Sequence, residues 1–161
     1  MFRFRAAIGA ALFVVLVLAS RPVQAPAAHV LVLCGIGLRI WAAGYIGMKG
    51  RGREFQDEYA IANGPYRLFG HPLYFANFML VLGTLMMYNP PLWLGALYVG
   101  FFFLVYVPIA LAERQFLRGK PGREARFSMA NLRAEISTWI VLAVIYIVYL
   151  LLAVLKQQPA V

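Results

Sequence analysis

Eleven consecutive residues, Gly64-Pro65-Tyr66-Arg67-Leu68-Phe69-Gly70-His71-Pro72-Leu73-Tyr74, place an arginine, a histidine and three aromatic rings at the start of a long apolar run. The arginine fork can hold a carboxylate or phosphate, and the imidazole can accept or deliver a proton near neutral pH. Amid so apolar a sequence this polar cluster calls for a partner of its own, and a polar cofactor is the partner expected. A lone histidine near a helix end is ordinarily a hydrogen-bonded structural residue. The neighbours of His71 alter that reading. Tyr74 is three positions on and Asn77 three further, so His71, Tyr74 and Asn77 fall on one helical face as a polar ladder descending into the apolar run. An interfacial aromatic belt accounts for Tyr74 without any ligand. It does not account for the Asn77 amide, because polar side chains within a span face a cavity or the bundle interior.

The second candidate is Glu113-Arg114, at the end of another apolar run. Read blandly, it is a surface ion pair worth about 0–1 kcal/mol. Read functionally, Glu113 accepts hydrogen bonds from ribose hydroxyls or holds a cationic group, while Arg114 grips a carboxylate with two parallel bonds. A tight connection between the two runs would bring Glu113 to the depth of His71, and Tyr88-Asn89-Pro90-Pro91 is a turn short enough for an antiparallel helix hairpin.

What must position these residues is a membrane bundle. Of 161 residues, 63% are hydrophobic and 13% charged, about half the charge of a soluble domain. Four apolar runs, residues 30–48, 73–88, 92–112 and 138–155, approach the ~20 residues that cross a bilayer core. A fifth, residues 6–20, is shorter and follows the basic start Phe2-Arg3-Phe4-Arg5. It has the layout of a secretory signal ending at Val23-Gln24-Ala25, but Pro26 directly after the cut favours an uncleaved first span. The expectation is an all-α integral membrane bundle of about five transmembrane helices, forming one domain over residues 1–161.

With the spans alternating and the N-terminus in the cytoplasm, one side holds Arg3, Arg5, Lys49, Arg51, Arg53, Arg67, Arg114, Arg118, Lys120, Arg123, Arg126 and Arg133. The other keeps Arg21 and Lys156, and Arg39 falls within a span. This positive-inside bias puts both polar segments, residues 49–70 and 113–137, in the cytoplasm, and a bacterial inner membrane suits it. The net charge of +9 is then a matter of topology and lipid headgroups. Nucleic-acid binding is a poor reading, because the charges flank spans and form no basic domain. Cys34 reads as a small packed residue of the second span, and no cluster has metal-ligand spacing.

Within the polar segments, Lys49-Gly50-Arg51-Gly52-Arg53 suits headgroup contact, and Gly64-Pro65 presents the following residues at a fixed angle. Pro72 suits the first turn of the third span. Pro108 is placed to kink the fourth span, and Gly119-Lys120-Pro121-Gly122 ends its continuation. Beyond it, Phe127, Ala130, Leu132 and Ile136 alternate with Arg123, Arg126, Arg133 and Glu135, which reads as a basic amphipathic stretch lying in the interface.

Gly64-Pro65-Tyr66-Arg67, followed without a gap by His71-Pro72-Leu73-Tyr74, resembles the signature of the isoprenylcysteine carboxyl methyltransferase family of membrane enzymes. Leu38-Arg39-Ile40-Trp41-Ala42-Ala43-Gly44-Tyr45, Tyr74-Phe75-Ala76-Asn77-Phe78 and Asn89-Pro90 are similar too, so the likeness covers about residues 36–127. It implies S-adenosylmethionine bound at the cytoplasmic membrane face and methyl transfer to a lipidic or lipidated acceptor entering from the bilayer. The cofactor-binding residues it implies are Gly64, Tyr66, Arg67, His71, Pro72, Tyr74, Asn77 and Glu113, with Glu113 and Arg114 at the catalytic positions. Four positions depart from the family pattern. Gly70 stands for an arginine, Arg114 for a second glutamate, Pro121-Gly122 for a Phe-Gly pair, and Ala125 for a tyrosine. The cofactor half of the pattern is thus kept and the acceptor half altered. A phospholipid or small-amphiphile methyltransferase stays open as an alternative, as does a non-catalytic membrane scaffold with a degraded motif. Oligomeric state is not legible.

Overall fold

A computed structural model describes residues 5–46 and 59–157. Five long helices run through them: α1 (Arg5–Ala19), α2 (Pro26–Tyr45), α4 (Pro72–Tyr88), α5 (Leu92–Leu117) and α6 (Ile136–Gln157). A short α3 (Pro65–Phe69) precedes α4, and a 3-10 helix (Met129–Glu135) leads into α6. Prolines begin α2, α3 and α4, where the missing N–H costs nothing. The architecture is the expected all-α membrane bundle. Three segments are long and apolar enough to cross a bilayer, Pro26–Tyr45, Leu92–Leu117 and Met129–Leu155, while α1 and α4 are shorter apolar helices. The second span begins earlier than expected, at Pro26, and the fourth runs on past residue 112 to Leu117, straight through Pro108. The basic run 49–53 lies outside the described residues.

Helices α2 and α4 form the tightest pair, and small residues make it possible. Ala28, Gly35 and Ala42 on α2 and Ala76 and Gly83 on α4 are all buried. In a bilayer, backbones that approach this closely gain packing that larger side chains would forbid. A Cβ on Gly83 would stand 2.5 Å from a Val32 methyl and 3.1 Å from the Ala28 carbonyl oxygen. Gly83→Ala is therefore expected to destabilise, because overpacking of about 1–3 kcal/mol outweighs the roughly 1 kcal/mol of helix propensity gained. Gly100, with nothing within 4 Å of its notional Cβ, is the control. Thermal melts in detergent should show Gly83→Ala melting below wild type and Gly100→Ala at or above it. Cys34 is exposed, contrary to the packed position expected; it stands beside the small-residue seam of α2 and not within it.

The two ends of the bundle differ in what closes them. At the Asn89 end, Leu16, Ala28, Met87, Tyr88 and Tyr149 form an apolar cluster. It is sewn by three hydrogen bonds: Val23 N–H to the Met87 carbonyl (3.0 Å), the Tyr149 hydroxyl to the Val23 carbonyl (2.9 Å) and the Tyr88 hydroxyl to the Ile145 carbonyl (2.6 Å). The α4–α5 turn is the expected hairpin. Asn89 adopts the left-handed conformation (φ 45°, ψ 59°) that asparagine tolerates, and its N–H caps the Leu85 carbonyl.

At the His71 end the two polar segments pair. β1 (Ala60–Ile61) and β2 (Gly122–Arg123) run parallel, Ala60 opposite Gly122. The Asn63 amide extends the ladder, donating to the Ala125 carbonyl (2.8 Å) and accepting from its N–H (3.0 Å). Beyond this the amphipathic stretch is fastened to α2. Phe127 packs its ring on Gly44, and Ser128 N–H and the Asn131 amide both donate to the Gly44 carbonyl at 2.9 and 2.8 Å. Glu135 is 4% exposed, carried inward by the 3-10 helix. The reason is electrostatic: Arg39 sits inside the bundle and needs a counter-charge.

Candidate active site

His71 is the residue before α4, and a sharp backbone reversal delivers it there. Gly70 has φ 64° and ψ −59°, and His71 N–H meets the Phe69 carbonyl two residues back at 2.6 Å. This is a γ-turn of the strained, positive-φ kind, which glycine adopts and side-chain-bearing residues resist. The glycine that reads in sequence as a lost arginine is thus the residue that aims His71.

Two groups converge on a single carboxylate oxygen. The Tyr74 hydroxyl donates to Glu113 Oε2 at 2.9 Å, and His71 Nδ1 stands 3.2 Å from the same atom. The imidazole and the Tyr74 ring stack, with centroids 5.4 Å apart and 21° between planes. Spacing on α4 accounts for the stack, and the α4–α5 hairpin accounts for Glu113 meeting it. With Nδ1–H given to the carboxylate, Nε2 of a neutral imidazole is left as an acceptor. Both of these donors use Oε2 and not Oε1.

Beside this triad lies an open cleft of about 640 Å³, lined by His71, Leu111, Arg114, Gln115, Leu117 and Arg118. Its volume is within the range of small-molecule sites, roughly 300–1,000 Å³. Arg114, in the last turn of α5, and Arg118, its C-cap residue, both line this cleft. α4 has 17 residues and rises about 26 Å, slightly less than the ~30 Å hydrocarbon core.

Of the residues singled out in sequence, His71, Tyr74 and Glu113 form the triad, and Arg114 joins His71 in lining the cleft. The others stand further off. Gly64 packs against the Tyr45 ring, which a Cβ would approach to 2.7 Å. Pro72 is buried at the first turn of α4, Tyr66 is half-buried on α3, and Arg67 is exposed in the last turn of α3. Asn77 is one step removed: its amide donates to the Tyr106 hydroxyl at 3.1 Å and accepts from Arg39. Tyr106 in turn lies against Tyr74, with centroids 5.3 Å apart, and stacks on Phe102. Sequence reasoning misses Tyr106, Gln115 and Arg118. Tyr106 precedes Glu113 by seven residues, two helical turns, and Arg118 follows Arg114 by four, so helical spacing is the signal for both.

Residues 23–122, more than half of the chain, match the phospholipid methyltransferase family, a span that contains the triad and all of the cleft lining. The chain belongs to that family. It is therefore a membrane-embedded methyltransferase, of the same superfamily as the isoprenylcysteine carboxyl methyltransferases. No curated protein and no solved structure matches the chain. Methyltransferases of this family are generally S-adenosylmethionine-dependent.

Proposed function

We propose that this protein transfers a methyl group from S-adenosylmethionine to a membrane phospholipid, and that the triad and its cleft are where it does so. The observation that carries the reading is the convergence of His71 and Tyr74 on Glu113 at the edge of an open cleft with two arginines. The donor set fits the cofactor. Arg114 or Arg118 can take its carboxylate, Glu113 Oε1 its ammonium or ribose hydroxyls, and the Tyr74 and Tyr106 rings its cationic or aromatic parts. When bound, S-adenosylmethionine supplies an electrophilic methyl on a sulfonium, open to in-line displacement by a lone pair.

The chain's own residues then position and deprotonate. An amine acceptor must shed a proton to keep a neutral, methylated nitrogen, and His71 Nε2 can receive it while Nδ1 remains on Glu113. Reach and alignment supply the rest of the rate, since the reaction asks for little covalent chemistry from the protein. The family match favours a phospholipid over a lipidated cysteine as acceptor, and Arg114 in place of an acid makes the cleft hospitable to a lipid phosphate. The basic bias of the His71 end supports a cytoplasmic site, with the bacterial inner membrane as its setting.

Reconstituted protein incubated with methyl-labelled S-adenosylmethionine and a total lipid extract is expected to label an amine-bearing phospholipid fraction. Labelling of a lipidated cysteine peptide instead would reassign the acceptor. Absence of both transfer and cofactor binding at near-millimolar concentration would overturn the reading.

A further inference from the structure

The mechanism leaves the most deeply buried charges in the described structure unused. Arg39 on α2 directs both Nε (2.6 Å) and Nη2 (2.5 Å) onto one oxygen of Glu135, and the two side chains are 11% and 5% exposed. Nη2 also donates to the Thr138 hydroxyl on α6 at 3.1 Å, and Nη1 donates to the Asn77 side-chain oxygen. One guanidinium thereby ties α2, α4 and α6 together. A charge pair in a span is costly to bury, and helices can be held by apolar packing at less expense. The direction of the Asn77 amide is what the pair adds. With Oδ1 held by a cation, Nδ2 must face the other way, and it donates to Tyr106. Tyr106 packs on Tyr74, whose hydroxyl holds Glu113. An unbroken series of contacts thus leads from Glu135 to the triad.

We propose that Arg39 and Glu135 are positioning residues: the buried ion pair sets the Asn77 amide, Asn77 sets Tyr106, and Tyr106 holds Tyr74 against Glu113. The consequence for cofactor affinity rests on the functional reading above; the positioning itself does not. Lysine at position 39 keeps the charge but cannot serve Glu135, Thr138 and Asn77 at once with a rigid fork. Tyr106→Phe keeps the ring and removes the hydroxyl that Asn77 binds.

The test uses full-length protein in nanodiscs carrying fluorotyrosine at position 74, with a second sample labelled at Tyr98 as a remote reference. Arg39→Lys and Tyr106→Phe are expected to melt within a few degrees of wild type and to shift the fluorine resonance at position 74 but not at 98. S-adenosylmethionine affinity should fall about tenfold, the scale of supporting-residue losses at ligand sites. A resonance at position 74 that stays put in both variants overturns the proposal. So does an equal shift at both positions, which marks general loosening. A moved resonance with wild-type affinity upholds the positioning and overturns its consequence for the cofactor. If wild type itself fails to bind the cofactor while the resonance moves, the positioning stands and the methyltransferase assignment of the site falls.

Discussion

Glu113→Ala is expected to weaken S-adenosylmethionine binding by well over tenfold, measured by calorimetry on detergent-solubilised protein. The carboxylate is the acceptor for two protein donors, one of which, His71, lines the cleft. A charge-assisted hydrogen bond contributes about 1.5–3 kcal/mol, and tenfold in affinity is about 1.4 kcal/mol. Removing Glu113 forfeits the direct contact to the ligand and also frees His71 and Tyr74 to turn away from their stack. His71→Ala should cost a comparable amount, since it takes away the imidazole that both lines the cleft and fixes Glu113. Tyr74→Phe should cost less, because the ring that packs on His71 and Tyr106 survives. Wild-type affinity in both Glu113→Ala and His71→Ala would remove these residues from the cofactor site. The graded order is informative as well: equal losses in all three variants would mean that the site has collapsed rather than lost individual contacts.

Much of this site is legible in the amino-acid sequence, and the reason is that its core is local. His71, Tyr74 and Asn77 share a helix face, and a helix face can be counted. Glu113 requires one further inference, that Asn89-Pro90 makes a hairpin, and the left-handed Asn89 bears it out. Gly70 misleads because composition reports which side chain is absent and says nothing of φ. Only the backbone reveals that the turn itself demands a residue without a Cβ. The 3-10 helix misleads for a different reason. Its alternation of apolar and basic residues is what an interfacial segment would show, and the one acid in it looks like part of the polar face. Arg39 holds the missing clue. A cation within a span must be answered from somewhere, and its answer lies 96 residues away, beyond the reach of periodicity. Tyr106 is hidden in the same manner, one hydroxyl in a run of Phe, Leu and Val whose function depends on which neighbour the fold supplies.

Arg39→Met should be among the most destabilising single changes in the protein. Methionine keeps the unbranched apolar stem of arginine and suits an apolar interior, so the packing of the stem is kept. What is lost is the charge. Glu135 would be left 4% exposed without its cation, and the Asn77 oxygen and Thr138 hydroxyl would lose their shared donor. Breaking a buried pair from one side costs about 3–5 kcal/mol, which in a detergent melt should appear as a large drop in the transition. Glu135→Leu made in the same chain should recover part of that drop, because the carboxylate that has lost Arg39 is removed with it. Recovery cannot be complete while Asn77 and Thr138 remain without the guanidinium. The double variant should therefore melt between Arg39→Met and wild type. A double variant no better than Arg39→Met would mean that the two residues contribute independently, and the buried ion pair would then not be what holds α6 to α2. The same double variant separates stability from function: it restores part of the fold without restoring the Asn77 orientation, so its cofactor affinity should stay as low as that of Arg39→Lys.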